Sequence, residues 1–291
     1  MIKESIKRGY LNDDFRVFHL KDKIDMNIDF HHHDFNKIVV LLWGEATYYI
    51  EGKSYNLKPY DILLVAAHEV HKPYVTSSND YERVIFWVNS NFLKSIDSKL
   101  LLPFHRCIND GLHLLRLPDK NFDSLNKFLV EILKEFNSTD FGSAINCRSL
   151  FLQFIVKINR MYRNEEFLEP SEVNYDKFIW SVIRYINDNL NSDLSIDTLA
   201  SKFFISRYHL MHKFKTETGY TIYSYILEKR LSKSKDMLLE GKSIQEICTA
   251  LNFNDYSNFM RQFKKRFGKS PGAYKNHLSN FSSMPSSTFK E

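Results

Sequence analysis

The sequence predicts a two-domain α+β protein: an N-terminal small β-barrel with two flanking helices, then an all-α C-terminal domain built from two helix-turn-helix units. Three observations predict it. Short β-type runs at even spacing fill residues 10–105, the apolar period turns helical from about 121, and one helical pattern occurs twice near the C-terminus. A chain of 291 residues, 43% hydrophobic and 26% charged, has the length for two domains and the apolar content for their cores.

The barrel strands are expected at Ile38–Trp43, Ala46–Ile50, Asp61–Val65 and Arg83–Val88, separated by turn chemistry at Gly44-Glu45, Glu51-Gly52-Lys53 and Lys58-Pro59-Tyr60-Asp61. Two amphipathic stripes follow. Phe122, Leu125, Phe128, Leu129, Ile132, Leu133 and Phe136 form the first, and Leu150, Phe151, Phe154, Ile155, Ile158 and Met161 the second. Such stripes either cover their own domain or mediate self-association, and both uses fit different parts of them. The polar stretch 164–176, with Pro170-Ser171, is expected to be a linker between a first domain at 1–163 and a second at 177–280. A Ser-rich tail at 281–291 is expected to be flexible.

Charge is divided unevenly. From Asp176 onward there are 18 Lys and Arg against 11 Asp and Glu, a net of +7, whereas residues 1–175 hold 22 and 24, a net of −2. A basic back half is suited to a polyanion, although basic faces are commonly just solvated. No apolar run is long enough to span a bilayer, and the N-terminus lacks the apolar core of a secretory signal. Cys107, Cys147 and Cys248 form no metal-type spacing and read as reduced residues of a cytoplasmic protein.

The repeat carries most of the functional information. Ser206-x3-Leu210-x3-Phe214-Lys215-x3-Gly219 recurs 49 residues later as Asp255-x3-Phe259-x3-Phe263-Lys264-x3-Gly268. Each copy opens on an N-cap residue, holds one apolar face, and closes on a glycine suited to a left-handed C-cap. Shorter helices precede both, starting at Ser195 and at Ser243, where Ser243 and Glu246 have capping-box spacing. Ala200 and Cys248 provide small residues where two helices must approach, and three to four residues separate short helix from long, as in a helix-turn-helix. Two ordinary helical hairpins are the plainer alternative.

The stretch from Asn252 to Tyr274, with Phe253, Asp255, Phe259, Arg261-Gln262-Phe263-Lys264 and Gly268-Lys269-Ser270-Pro271, resembles the signature of the DNA-binding domain of AraC/XylS-family transcription regulators. Asn252 departs from it, since the family usually has Gly there, but Asn also tolerates positive φ. The resemblance implies two recognition helices in successive major grooves, held apart by a spacer helix expected at about 221–240. A helix of that length is about 30 Å long, against about 34 Å for one turn of B-DNA.

Helical phase then assigns the exposed faces. With Leu210 and Phe214 inward, Arg207, Tyr208, Met211, His212 and Lys215 face out, and the family's base-contacting positions match Tyr208, Met211 and His212. With Phe259 and Phe263 inward, Tyr256, Ser257, Met260, Arg261 and Lys264 face out. Arg261 is the leading base or phosphate contact, because its guanidinium can pair bidentately with guanine. Lys213, Lys264, Lys265, Arg266 and Lys269 are expected to neutralise phosphates.

At the front, His31-x-His33, the strand after Gly44, Leu57-x-Pro59-x-Asp61 and His71 resemble the cupin-like barrel that many such regulators carry. Metal-binding cupins of enzyme type have a glutamate four residues after the second histidine. Here Lys37 stands there, and Tyr60 replaces the usual Gly before Asp61. An ammonium among imidazoles disfavours a divalent ion, so no metal, cofactor or catalytic residue is expected. His31, His33, Lys37 and His71 are instead expected to donate hydrogen bonds to an anionic or hydroxyl-rich effector. The chain therefore reads as a homodimeric, sequence-specific regulator of double-stranded DNA, responsive to a small molecule such as a sugar or other polar metabolite. The alternatives are a metal-dependent cupin enzyme with a helical appendage, and a regulator whose barrel meets a protein instead of a ligand.

Overall fold

The computed structural model describes residues 11–274 except 12, 23–25, 29, 76–79, 171–176 and 254. The chain divides into two units at 176/177. Most of the expected linker's second half and the expected tail at 281–291 lie outside the described residues.

The first unit is a β-barrel made from two facing antiparallel sheets. Its strands are β1 (Phe15–Asp22), β2 (Met26–Asn27), β3 (Asn36–Trp43), β4 (Ala46–Ile50), β5 (Lys53–Leu57), β6 (Ile62–Val65), β7 (His71–Val75), β8 (Tyr81–Val88), β9 (Leu114–Leu115) and β10 (Leu168–Glu169). One sheet runs β1-β8-β3-β6-β9-β10 and the other β2-β7-β4-β5. The four expected strands are present as β3, β4, β6 and β8. Among the described residues, four α-helices accompany them: α1 (Ser90–Ile96), α2 (Leu102–Asp110), α3 (Phe122–Asn137) and α4 (Ser143–Asn164). α1 and α2 lie partly in a region whose sequence suggested only strands.

Strands β3, β6 and β8 are apolar along most of their length, without alternation, because both of their faces are covered. Their even-numbered side chains, Ile38, Val40, Ile62, Leu64, Val84 and Phe86, form one core with Leu125, Leu129 and Ile132 of α3 and Phe151, Phe154, Ile155 and Ile158 of α4. Their odd-numbered side chains, Val39, Leu41, Leu63, Val65 and Ile85, face the barrel interior with Tyr48, Tyr55, Leu57 and Val75 of the second sheet. The two helical stripes therefore cover their own barrel, with Phe136 left partly exposed. Lys37 shares the interior parity of Val39 and Leu41.

Within the stretch expected to be linker, Leu168–Glu169 pairs with β9 as β10, and the Arg116 amide donates to Phe167 O at 2.8 Å. The side chain of Arg116 bonds the buried Asp61 carboxylate at 2.8 Å. Tyr60, at the position where Gly was expected, has φ +67. That left-handed backbone costs a non-glycine residue about 1–2 kcal/mol; stacking of Tyr60 on Phe122 at 4.3 Å offsets part of it.

Among the described residues the second unit is all helical: α5 (Lys177–Asp188), α6 (Ile196–Lys202), α7 (Arg207–Thr218), α8 (Ile222–Leu239), α9 (Ile244–Ala250) and α10 (Tyr256–Phe267). Leu210, Phe214, Leu231, Ile247, Phe259 and Phe263 are among its buried side chains.

If α4 packs its stripe inward as described, Phe151→Ala (0% exposed) should lower the stability of the first unit by about 3–5 kcal/mol. Val156→Ala, at 36% exposure on the same helix, should change it by less than about 0.5 kcal/mol. Urea denaturation of the two variants against the parent chain measures both.

Candidate functional site

The two helix-turn-helix hairpins are built from the same local devices. Ser195 and Ser243 cap α6 and α9, each hydroxyl accepting a backbone N–H three residues on, and Ser243 forms a complete capping box with Glu246. The turns repeat as well. Ile205 N–H donates to Ala200 O at 3.0 Å in the first, and Phe253 N–H to Cys248 O at 2.9 Å in the second. Among the described residues, each turn holds one at positive φ, Phe204 (+53) and Asn252 (+50). The second turn is one residue longer, which is why the short helices repeat at 48 residues and the long ones at 49.

Helices α7 and α10 begin at Ser206 and Asp255, whose side chains accept from His209 N–H and from Ser257 and Asn258 N–H. They end on Gly219 (φ +74) and Gly268 (φ +75) in the left-handed conformation that glycine adopts without a Cβ penalty. On α7, Arg207, Tyr208 (77% exposed), Met211, His212 and Lys215 lie on the exposed side. On α10, Tyr256 (53% exposed), Ser257, Arg261, Lys264 and Lys265 are exposed and Met260 is half-buried. Arg207 is ion-paired with Asp197 of α6. Arg261 bonds Asn258 Oδ1 at 3.0 Å along its own helix.

Two cations expected on the phosphate face are engaged elsewhere. Arg266 Nε lies 2.7 Å from Glu228 Oε2, tying α10 to the spacer α8, and Lys213 Nζ sits 5.7 Å over the Phe178 ring of α5. Both are half-buried. These pairings are long-range, so helical phase alone gave no sign of them.

Sequence reasoning also missed Arg230, on α8. Its guanidinium donates to Leu190 O (3.0 Å), Ser192 O (2.7 Å) and Asn252 O (3.2 Å), and Asn252 Nδ2 donates to Ser192 O at 3.0 Å. The loop entering the first hairpin is thereby bonded to the turn of the second. The fork geometry of arginine permits several carbonyl partners at once.

In the barrel, His31, His33 and His71 come together. The His31 and His71 rings are 4.3 Å apart, His33 and His71 4.7 Å, and His31 and His33 6.3 Å. A two-residue bridge of backbone hydrogen bonds joins His31 to His71. Lys37 lies close enough that its charge lowers the pKa of both His33 and His71, after burial as the larger cause. Burial, then the Arg83 charge, bring Lys37 itself down to about 8. Its Nζ is 5.8 Å over the Tyr48 ring. Tyr48 and Tyr81 hydroxyls are 3.3 Å apart, and Arg83 Nη1 bonds Asp22 at 2.7 Å. Tyr48, Tyr81 and Arg83 border the cluster without having been anticipated.

The ring nitrogens have defined roles. His33 Nδ1 is 2.7 Å from Phe35 O and His71 Nδ1 is 2.9 Å from Glu69 O. A carbonyl only accepts, so each Nδ1 carries the hydrogen. With their pKa values held well below the usual histidine value, both rings are neutral near pH 7 and offer Nε2 as an acceptor. Expected as donors, these rings instead accept on the inward side, because the backbone carbonyls of Phe35 and Glu69 take up their Nδ1 hydrogens. Among the described residues, no three His, Cys, Asp or Glu side chains are arranged to hold a metal ion, and the Lys37 ammonium beside the imidazoles opposes a cation there.

Comparison with known proteins places both units. Residues 18–155 match the AraC-like ligand binding domain, and residues 199–277 match a helix-turn-helix domain. The chain belongs to the AraC family of transcription regulators. Among curated AraC-family relatives, the HTH-type transcriptional activator RhaS of Escherichia fergusonii is 24% identical over 242 residues, covering 83% of this chain and 85% of its own. RhaS of Mannheimia succiniciproducens is 23% identical over 93% of this chain and 98% of its own. The transcriptional activator RhaR of Pectobacterium atrosepticum is 21% identical over 86% and 87%. Among solved structures, ToxT of Vibrio cholerae aligns over 91% of this chain and 98% of its own, at 16% identity and a TM-score of 0.36.

An AraC-family chain with these two domains is a DNA-binding transcription regulator that responds to an effector. Among the described residues no helix is long and apolar enough to cross a membrane. The departure from the family glycine at Asn252 also acquires a reason: the residue adopts the positive φ that glycine would, and its amide ties the two hairpins through Ser192.

Removing that tie should be costly. Arg230→Met leaves three carbonyls without their charged donor and should lower the opening free energy of the second unit by about 1.5–3 kcal/mol. Native-state hydrogen exchange at the Phe259 and Phe263 amides reads it. Arg230→Lys should restore only part, since an ammonium lacks the planar fork.

Proposed function

We propose that the protein binds operator DNA through α7 and α10 together and that a small polar effector in the barrel controls the binding. The carrying observation is the pair of like-built recognition helices on opposite ends of one spacer, each with its polar and aromatic face exposed. In this reading Tyr208, Met211 and His212 contact bases in one major groove and Tyr256, Ser257, Met260 and Arg261 in the next. Arg207, Lys215, Lys264 and Lys265 neutralise phosphates around them. Arg207, already paired with Asp197, also fixes the entry of α7.

The effector site is the cluster of His31, His33, Lys37 and His71. We further propose a homodimer joined through the outer faces of α3 and α4, where Val130 and Ile145 are exposed, and action in the cytoplasm. The relatives are named transcriptional activators, which supports activation as the sign of control. A metal-dependent cupin enzyme is the opposing reading. Metal analysis of the purified chain separates the two, a stoichiometric iron, manganese or nickel favouring the enzyme. A regulator worked by a protein partner is the other; a reporter response surviving changes to both Lys37 and His71 would favour it.

Two substitutions test the DNA contacts on the full chain. Arg261→Ala should lose about 1–3 kcal/mol on the preferred duplex and relax selection at one base pair. Equal weakening on preferred and random duplexes would remove it from base reading. Lys265→Ala should weaken binding to all duplexes alike and reduce the slope of log affinity against log salt by about one; an unchanged slope would remove it from the phosphate contacts.

A further inference from the structure

Inside the barrel, three buried polar groups have requirements that no single simple ligand class meets. His33 is 5% exposed and His71 0%, and the Nε2 atoms of both are buried without a hydrogen-bond partner. Because their Nδ1 hydrogens are committed to Phe35 O and Glu69 O, these Nε2 atoms are acceptors. Lys37 is buried as well, near enough that its charge lowers the pKa of both rings, and it forms no ion pair with a carboxylate among the described residues. Its neighbour Arg83 has Asp22, whereas Lys37 has only the Tyr48 ring face. An orphaned buried polar group costs about 1–3 kcal/mol, more if charged, so three together call for an occupant.

Elimination narrows that occupant. A divalent cation would satisfy the two acceptors but would meet the ammonium at close range. A simple carboxylate would pair with Lys37 but offers no hydrogen to either Nε2 and sets oxygen lone pairs against nitrogen lone pairs. A neutral sugar or polyol would donate to the histidines and leave the ammonium without an anion. We infer that the effector is a small hydroxy acid, its carboxylate on Lys37 Nζ and its hydroxyls donating to Nε2 of His33 and His71. This rests on the reading of the barrel as the effector site and specifies the chemistry that site selects.

The arrangement links binding to protonation. The charged and titratable groups around Lys37 are His33 on the segment entering β3, His71 on β7, Tyr48 on β4, whose hydroxyl meets that of Tyr81, and Arg83 on β8, which is ion-paired with Asp22 yet still lowers the Lys37 pKa. Lys37 on its own has a pKa of about 8, and an anion on it raises that value. Affinity is then full below about pH 8 and falls as pH rises above it, by up to about tenfold per unit, until the pKa of the complex is passed.

The test uses the full chain labelled with ¹⁵N-histidine, titrated with glycolate and D-gluconate, with acetate and hexanoate as acids lacking hydroxyls, and with ethylene glycol and sorbitol as hydroxyl compounds lacking a carboxylate. Expected is at least one hydroxy acid binding tenfold or more tighter than its matched controls. Its addition should shift the Nε2 resonances of His33 and His71, and its affinity should fall above pH 8. Lys37→Met, close in volume and free of the buried charge, should fold and bring that acid down to its neutral counterpart. Acids binding alike with and without hydroxyls, a polyol binding tightest, no probe moving the two resonances, or Nε2 found carrying the hydrogen would each overturn the inference. Binding of a polyol that also alters DNA affinity would leave the effector-controlled regulator standing while removing the hydroxy acid. Loss of DNA binding by the parent chain itself would remove the regulator.

Discussion

A helix whose internal carbonyls are all bonded four residues on is stiff, and α8 sets eighteen residues of it, about 27 Å, between the two hairpins. That length is close to the advance of one turn of B-DNA, about 34 Å. A rod alone would leave each hairpin free to swing about its end. The fork of Arg230 and the Asn252 amide, both on Ser192 O, and the Arg266–Glu228 ion pair restrict that freedom. In the proposed function, α7 and α10 fixed before binding would lose less conformational entropy when both dock, which would make a paired reading of one DNA face energetically accessible to a single chain.

The barrel obeys a different constraint. Strands covered on both faces must be apolar at every position, and β3, β6 and β8 are so along most of their length. Lys37 breaks the rule on the interior face of β3, one strand residue away from the apolar Ile38 and two from Val39. Burial lowers its pKa to about 8, so the barrel carries an electrostatic cost that a correct occupant would relieve. The histidines beside it are held in one tautomer by backbone carbonyls, which makes the pattern of donors and acceptors a property of the fold rather than of the side chains alone.

Features written in short-range chemistry were legible in the sequence. Ser206, Asp255, Ser243 with Glu246, and the glycines 219 and 268 specify helix ends within a few residues of themselves, and each stands where local rules put it. Apolar runs made β3, β4, β6 and β8 readable for the same reason. β5 was not, because Lys53 reads as part of the Glu51-Gly52-Lys53 turn and the polar Lys53 and Ser54, although buried, interrupt any apolar run. β7 was hidden by Pro73, which ordinarily argues against a paired strand yet lies opposite Tyr48 of β4. The Arg230 node and the Arg266 pair join residues 22 to 60 positions apart, and nothing local announces such contacts. His31, His33, Lys37 and His71 were picked out together by spacing. The direction of the hydrogen bonds at His33 and His71 was not available, since Phe35 and Glu69 contribute through their backbone.

The proposed function requires α7 and α10 to read one face of DNA a helical turn apart. Hydroxyl-radical footprinting of the full chain, on a duplex the protein itself selects from a random library, measures this directly. Two protected patches on the same face, separated by about 10–10.5 base pairs, are the predicted result. A single patch, or two patches on opposite faces, would contradict it.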